Sequence, residues 1–364
     1  MTLNLYIARK FLMNFLLIAA GFALILVLLD LVEELHRAAD SSIGFAQAAR
    51  LAALNMPDGL YRILPLITIL AALALFLSLA RSSELVVIRA AGRSALRMLL
   101  SPVLTALALG FFAVGLLNPI VAVSSEAYKA LLSHYASGPE NVLSISREGL
   151  WLRQTAAAGQ TVIRADHSSL DGTRLVGATF ISLDGKGQPV QRVEAARADL
   201  THGAWQLTDA KIWHFDTPNP EQSARQASEM TLPSDLTRQQ IRDGFGNPSE
   251  IPIWQLPDFI ERLRKAGFSA REHRVWLQME MALPLLLAAM VLIGAGFTMR
   301  HVRFGRTGMM VLAALISGFA IYFLRNFAQA LGNSGQIPIA LAAWAPPLIA
   351  ILLSLGLLLH LEDG

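Results

Sequence analysis

Residues 11–29 of the chain read FLMNFLLIAAGFALILVLL, and Asn14 is the single polar side chain in this run. A membrane-spanning helix needs about 20 largely apolar residues. The run is longer than the ~7–15-residue apolar region of a signal peptide, and no small-residue cleavage motif follows it. We therefore interpret it as a retained membrane span.

Five further apolar runs qualify as spans, and the whole composition agrees with them. They cover residues 63–80, 99–121, 279–299, 309–324 and 337–359. Hydrophobic residues make up 54% of the chain and charged residues 16%, against about 25% charged in a soluble domain. The sequence predicts an α-helical membrane protein with six transmembrane helices. The absence of cysteine excludes disulfides and thiolate metal sites.

Basic residues predict the orientation of the spans. Arg9 and Lys10 precede the first span, arginines 81, 89, 93 and 97 lie between the second and third, and arginines 300, 303 and 306 lie between the fourth and fifth. Positive loops stay in the cytoplasm. We therefore expect both termini inside and, on the opposite side, two outer loops at 30–62 and 325–336 together with the long 122–278 segment.

This long segment is predicted to be an inserted all-β domain. Strand patterns occur at 142–153, 161–167, 176–183, 190–200, 205–215 and 227–232, separated by glycine-containing turns. Their spacing favours a sandwich, a jelly roll or an open barrel. A short helix at 257–266 leads back to the membrane. The predicted organisation is thus spans 1–3 in residues 1–123, the β-domain in 124–252, and the connecting helix with spans 4–6 in 253–364.

An amphipathic segment at residues 82–100 lies on the predicted cytoplasmic side. Ser82 or Ser83 suits a helix cap, and Glu84 suits the first helical turn. Two interpretations remain open: a basic helix on the membrane surface, or a docking helix for a cytoplasmic partner.

Motifs for catalysis are missing from the chain. It contains no GxxxxGK[S/T] phosphate loop, no HExxH and no GxSxG. The histidines are scattered, and a lone one such as His134 or His273 is expected at the surface. We expect no catalytic site and no metal site, although an intramembrane site without a short motif stays open.

Charged residues cluster near the predicted outer ends of the spans. The basic ones are His36, Arg37, Arg62, Arg274 and Arg325, and Glu280 opens the fourth span. Charges at membrane depth tend to face a cavity, and arginine binds phosphate through two parallel hydrogen bonds. These residues either bind an anionic amphiphile or anchor helix ends at the interface.

Residues 81–92 read RSSELVVIRAAG directly after the second span. This block, together with three spans, a β-domain and three spans, resembles the LptF/LptG permeases of the lipopolysaccharide exporter over essentially the whole chain. The REGLW stretch at 147–151 is similar to the LptG branch. The resemblance implies an inner-membrane protein whose β-domain is periplasmic and jelly-roll-like.

The resemblance also implies partners and roles. In that family LptF and LptG pair, a dimer of the ATPase LptB docks beneath them, and LptC and LptA continue the path. Lipopolysaccharide enters from the outer leaflet. ATP hydrolysis by the ATPase, which uses Mg²⁺, drives it towards the β-domains. The permease itself is a non-catalytic transport subunit that holds no cofactor and binds no nucleic acid.

Individual residues take their expected roles from the same resemblance. Segment 82–92 is the coupling helix, with Glu84, Leu85, Val86 and Arg89 as its ATPase-contacting residues. His36 and Arg37 resemble lipid-contacting basic positions, and Lys129 is a further candidate, whereas Asp30 departs from the pattern. A membrane-anchored periplasmic scaffold or sensor is the alternative function, and an intramembrane enzyme is a third.

Overall fold

The computed structural model describes most of the chain. The described residues are 2–38, 44–84, 87–88, 95–135, 143–146, 149–156, 159–169, 173–184, 187–201, 203–215, 219–234, 236, 247–265, 269–299 and 307–362. They form two compact units. The helical unit comprises Met1–Tyr135, Pro252–Trp254 and Arg274–Gly364, and the β-unit comprises Ala136–Ile251 and Gln255–His273.

Long helices make up the helical unit. They are α1 (Thr2–Ala38), α2 (Phe45–Arg62), α3 (Leu64–Arg81), α4 (Ala95–Phe112), a π-helical turn (Ala113–Leu117), α5 (Asn118–Tyr135), α7 (Arg271–Thr298), α8 (Thr307–Ser334) and α9 (Ile339–Glu362). The π-helical turn joins α4 and α5 into one span. Six helices in the described residues are long and apolar enough to cross a bilayer, which confirms the predicted number of spans.

Helix α2 corrects the prediction, because residues 30–62 were expected to form an outer loop. Its sequence contains the turn-like residues Pro57, Asp58 and Gly59. The helix nevertheless buries Ala48, Leu51 and Ala52. This i, i+3, i+4 spacing places an apolar stripe against its neighbours. Packing therefore outweighs the local turn propensity.

Helices α3 and α7 form the centre of the helical unit. Phe76 on α3, Met290 on α7 and Phe11 on α1 are fully buried members of one apolar cluster. Helices α1 and α8 are the least buried of the spans, and their outward faces carry exposed side chains such as Leu17 and Phe323. These faces are suited to lipid or to another apolar surface.

In the described part of the β-unit, seven antiparallel strands form one sheet. They are β1 (Leu143–Ser146), β2 (Gly149–Ala156), β3 (Gly159–Ser168), β4 (Arg174–Leu183), β5 (Pro189–Thr201), β6 (Ala204–His214) and β7 (Arg225–Pro233). The strand predicted at 142–153 is therefore two strands, β1 and β2, which pair with each other. The predicted inserted all-β domain is confirmed as a fold class.

The strand order is a simple meander from β1 to β7. A jelly roll has two Greek keys, so the described strands follow a simpler path than the jelly-roll description implies. The sheet curves so that β2 and the end of β7 come into contact. Gln154 on β2 donates to the carbonyl of Pro233 (3.3 Å) and accepts a hydrogen bond from Ser234 (2.8 Å) at the end of β7.

The two faces of the sheet differ in chemistry. The inner face buries Ile163, Phe180 and Trp205, and the Phe180 and Trp205 rings meet edge to face with centroids 6.0 Å apart. The outer face carries ion pairs such as Arg174–Asp199 (2.6 Å). This alternation is the pattern of a sheet with one solvated face.

Helix α6 (Leu256–Lys265) also belongs to the β-unit, and it confirms the helix predicted at 257–266. Leu256, Ile260 and Leu263 are buried along one face. His273, expected at the surface, is buried instead, and its ring stacks near that of Phe259 with centroids 5.2 Å apart.

The predicted boundary at residue 123 lies inside α5, which continues to Tyr135.

Close packing between α4 and α7 depends on a glycine. A Cβ added at Gly110 would lie 2.8 Å from the Cβ of Pro284, whereas a Cβ at Gly21 on α1 meets nothing within 4 Å. We expect Gly110→Ala to destabilise the helical unit by about 1–3 kcal/mol because two rigid backbones must separate. Thermal unfolding of the purified chain in detergent measures the effect. Equal melting temperatures for Gly110→Ala and the matched Gly21→Ala variant would contradict this packing.

Candidate functional site

The predicted coupling segment begins immediately after α3. Ser83 has a left-handed backbone conformation (φ 58°), so the chain changes direction after α3 and a new helical turn begins. The amide of Val87 then donates to the carbonyl of Ser83 (3.2 Å), so Glu84 lies in the first turn of a helix as predicted. Leu85, Val86 and Arg89 lie outside the described residues. Of the described neighbours, Val87 is exposed and Ile88 is buried.

Two neighbouring side chains bind the carboxylate of Glu84. The hydroxyl of Ser82 donates to Glu84 Oε1 (2.8 Å), and the ammonium of Lys10 on α1 lies 3.3 Å from the same oxygen. Lys10 also donates to the hydroxyl of Tyr6 (3.2 Å). The carboxylate thus connects the start of the coupling segment to the first turns of α1, a contact that the sequence reasoning missed.

These contacts change the acidity of Glu84. Partial burial of the carboxyl works to raise its pKa, but hydrogen bonds from Ser82 and Lys10 outweigh burial and hold the pKa below the ordinary value. Hydrogen bonds to the charged form act in this direction. Glu84 is therefore an ionised acceptor that can bind a cationic partner.

The lipid-binding candidates on α1, α5 and α7 are exposed. His36, Lys129 and Arg274 each present their side chains at the surface of the structure. Arg37 lies near the end of α1, and its side chain is outside the described set. Acidic residues close to this end of α1 bind other helices: Asp30 accepts from Asn55 on α2 (3.2 Å), and Glu34 accepts from Tyr128 on α5 (2.8 Å).

Arg62 and Arg325 have different surroundings. Arg62 is exposed at the end of α2 and pairs with Asp58 one turn earlier (2.7 Å). A surface pair of this kind contributes little to stability. Arg325 is half-buried on α8. Its guanidinium has five N–H donors in a planar arrangement that suits a phosphate or a carboxylate.

A buried carboxylate lies in the same unit. Glu280 on α7 is fully buried. Its Oε2 accepts hydrogen bonds from the hydroxyl of Tyr61 on α2 and from the side-chain amide of Asn118 on α5 (3.4 Å). Its other oxygen, Oε1, is buried and has no hydrogen-bond partner among the described residues. We call Tyr61, Asn118 and Glu280 the Glu280 cluster.

Among the described residues, the positive charge of Arg325 on α8 contributes to the electrostatic surroundings of both Glu280 and Tyr61. The apolar run of the fourth span already made Glu280 conspicuous, because ionisable residues at membrane depth are rare and functional. Nothing in the sequence spacing indicated Tyr61 or Asn118.

The π-helical turn lies directly beside the Glu280 cluster. Asn118 follows the turn and accepts through Oδ1 from the amide of Ile253 (2.9 Å), and the indole of Trp254 donates to the carbonyl of Gly115 within the turn (3.1 Å). A π-helical turn leaves carbonyl groups without their usual helical donors. Trp254 therefore satisfies one carbonyl of the turn, and Ile253 holds the side-chain oxygen of the residue that follows it.

Comparisons with known proteins agree with this architecture. A family model described as "Lipopolysaccharide export system permease LptF/LptG" matches residues 5–360. The chain belongs to this family. It is 24% identical over 337 residues to the lipopolysaccharide export system permease protein LptG of Escherichia coli strain K12, covering 92% of this chain and 91% of the relative. It is 21% identical over 368 residues to LptG of Haemophilus influenzae, covering 100% and 99%.

Family membership and the helices together identify an inner-membrane protein that crosses the bilayer several times. The family resemblance drawn from RSSELVVIRAAG is thereby confirmed, and the curated relatives carry the LptG name. The LptF/LptG family is a family of transport permeases, so its members act by moving a substrate across or out of a membrane.

The hydrogen bonds of Glu84 predict a pH response. The pKa of Glu84 is lower in the folded protein than its ordinary value of 4.5. Ionised Glu84 therefore stabilises the folded state above pH 4.5, and this stabilisation is lost as the pH falls through the lower pKa of the folded state. Lys10→Gln should move this midpoint upwards, towards the ordinary value. Infrared difference spectra between the wild type and Glu84→Gln report the carboxyl titration. Lys211→Gln serves as a lysine control, and an unshifted midpoint in Lys10→Gln would refute the contact.

Proposed function

We propose that this chain is the LptG-type permease subunit of the lipopolysaccharide export ABC transporter. The observation that carries the proposal is the family match over residues 5–360, together with the RSSELVVIRAAG block directly after α3. The LptG names of its relatives and the REGLW stretch support LptG over LptF. In this role the chain pairs with LptF, docks a dimer of the ATPase LptB, and works with LptC and, through it, LptA.

The proposed activity is extraction of lipopolysaccharide from the outer leaflet of the inner membrane and its transfer to the periplasmic Lpt components. The chain itself is a transport subunit without a catalytic centre, and the partner ATPase uses ATP and Mg²⁺. The sequence supports this division of labour because it lacks a phosphate-binding loop of its own.

The proposed orientation places both termini and the coupling segment in the cytoplasm and the β-unit in the periplasm. The arginine-rich segments around residues 81–97 and 300–306 support it, since cytoplasmic loops retain Lys and Arg. This orientation puts Glu84 on the side of the membrane where ATP is available.

The proposed coupling step follows from the contacts of Glu84. A partner that binds the segment after α3 acts on Ser82 and Glu84, and Glu84 is linked to Lys10 on α1. Displacement of the segment is therefore transmitted to two membrane helices. Helix α1 is among the least buried spans, so it moves at a lower packing cost than the central helices α3 and α7.

The proposed substrate contact with the best structural support is Arg325. The lipid A part of lipopolysaccharide carries phosphates, and a guanidinium binds phosphate through two parallel hydrogen bonds. Half-burial of Arg325 on α8 lowers the local dielectric and strengthens such a contact. His36, Arg37, Arg62, Lys129 and Arg274 remain proposed contributors at the rim.

Glu84→Ala tests the coupling role. We expect the ATPase to co-purify less, or its lipopolysaccharide-stimulated hydrolysis to fall about tenfold, because a charge-assisted contact of about 1.5–3 kcal/mol is lost. Glu272→Ala, an exposed carboxylate in the first turn of α7, is the matched control and should behave as wild type. Normal association and normal stimulated hydrolysis in Glu84→Ala would favour the scaffold or sensor function.

Arg325→Gln tests the substrate contact. We expect photocrosslinking of the assembled transporter to lipopolysaccharide to fall by about tenfold or more, since a charge-assisted phosphate contact is removed. Arg62→Gln is the matched control, and its smaller loss is expected because Arg62 already pairs with Asp58. Equal crosslinking for both variants and wild type would leave helix anchoring as the role of these arginines.

A further inference from the structure

The third span contains a proline at the point where its helix is irregular. Pro119 follows Asn118, whose backbone amide donates to the carbonyl of Ala113 and closes the π-helical turn. In a regular α-helix the amide of residue 119 would donate to the carbonyl of Gly115, four residues earlier. Proline has no N–H, and its ring would collide with that carbonyl. The π-helical turn is therefore the place where the third span accommodates Pro119.

The indole of Trp254 supplies the donor that Pro119 lacks. Its Nε1 donates to the carbonyl of Gly115 (3.1 Å), and its Cζ2 lies 3.8 Å from the position that a Cβ at Gly115 would take, an ordinary contact distance. An unpaired carbonyl is costly at membrane depth, because no water is available to satisfy it. Trp254 therefore completes the backbone hydrogen bonding of a span to which it does not belong.

Trp254 and its neighbour Ile253 differ in exposure. Ile253 is 7% exposed, and its amide donates to the buried side chain of Asn118 (2.9 Å). Trp254 is 72% exposed, so its bond to Gly115 is protected by little packing. Contacts with few buried neighbours open at the lowest cost in free energy. The indole bond is therefore the contact of this segment that opens first.

The two sides of the π-helical turn are held differently. On the α4 side, Gly110 packs backbone to backbone against Pro284 of α7, since a Cβ added to Gly110 would lie 2.4 Å from the Cα of Pro284. On the α5 side, a contact with the same helix is the long hydrogen bond from Asn118 to Glu280 (3.4 Å). A bend at the turn therefore moves α5 more readily than α4.

We propose that Pro252–Trp254 is a latch on a proline hinge in the third span. While the indole of Trp254 binds Gly115, the angle between α4 and α5 is fixed. When this bond opens, α5 bends away from α4, because Pro119 cannot bind the same carbonyl through its backbone. The latch concerns a movement of the span itself and does not depend on which substrate the protein moves.

A double-mutant cycle tests whether the indole replaces the missing backbone donor. Trp254→Phe keeps an aromatic ring but removes the N–H, and Pro119→Ala restores the backbone N–H. For the full chain in nanodiscs, Trp254→Phe should speed hydrogen exchange of the amides at residues 113–122 about fivefold, the effect of losing one hydrogen bond. In the Pro119→Ala background, Trp254→Phe should change this exchange less than twofold. Mass spectrometry of peptides that cover the turn measures the rates.

Two matched controls accompany the cycle. Trp213→Phe removes an indole bond to Glu221 in the β-unit (2.6 Å) and should leave exchange at the turn unchanged in both backgrounds. Gly115→Ala keeps the carbonyl and has room for its methyl group, so it should behave as wild type. Equal exchange in wild type and Trp254→Phe would overturn the latch. Equal acceleration with and without Pro119 would overturn the proposed replacement of its donor.

A distance measurement tests the hinge. The chain contains no cysteine, so spin labels at Ala127→Cys on α5 and Leu341→Cys on α9, both exposed positions, report on these two helices alone. Residue 127 lies about 13 Å along α5 from Asn118, so a bend of about 20° moves it by about 5 Å.

Pulsed electron paramagnetic resonance of the full chain in nanodiscs gives the distance distribution. We expect one narrow distance in wild type and a second component, displaced by about 5 Å, in Trp254→Phe. Faster hydrogen exchange without this displaced component would overturn the hinge. If Pro119→Ala fails to fold, the distances in Trp254→Phe decide alone: the displaced component supports the latch, and a distribution identical to that of wild type refutes it.

Discussion

The bilayer core contains no water to satisfy backbone N–H and C=O groups, and this constraint shapes the whole helical unit. The spans are helices because a helix satisfies these groups internally. Polar side chains in the spans follow the same rule by bonding to their own helix: Thr68 donates to the carbonyl of Leu64 (2.8 Å), and Ser317 donates to that of Ala313 (2.8 Å). A group too polar for this solution requires contacts between helices.

Glu280 and Asn118 are such groups, and they explain why several elements meet at one place. A carboxylate cannot bond to its own helix carbonyls, so it takes donors from α2 and α5. Asn118 then uses its oxygen for the amide of Ile253 (2.9 Å). The π-helical turn next to it provides a carbonyl for Trp254. Irregular backbone is thus accompanied by partners that satisfy it, as the constraint requires.

The sequence predicts the elements better than it predicts their contacts. Long apolar runs determine a span almost alone, and alternation with turns determines a strand. Helix α2 was missed because Pro57 and Gly59 indicate a turn, whereas burial of Leu51 and the bond from Asn55 to Asp30 depend on helices distant in sequence. The first two strands were merged because the short polar interruption at Arg147 and Glu148, followed by Gly149, was not interpreted as a turn.

In the candidate site, too, the sequence indicates individual residues better than it indicates their contacts. Glu84 was predictable from the RSSELVVIRAAG block, and Arg325 and Glu280 were predictable as charges beside apolar runs. Their partners were not, because Lys10, Tyr61 and Asn118 are ordinary residues at long sequence separations from them. Only the folded chain brings these residues within hydrogen-bonding distance, and no periodicity encodes the pairing.

Helix α1 connects these polar contacts over a long distance. It has 37 residues, which corresponds to about 55 Å at 1.5 Å per residue. Near its start, Lys10 binds Glu84 and the carbonyl of Asn4 accepts from Ser101 (2.5 Å). Near its end, Glu34 binds Tyr128. Between these contacts the outward face is apolar and exposed, as at Leu17 and Leu24. Its inward face is different, because Phe11 and Phe15 belong to the central apolar cluster. A displacement of α1 along its axis therefore also moves its contacts in that cluster.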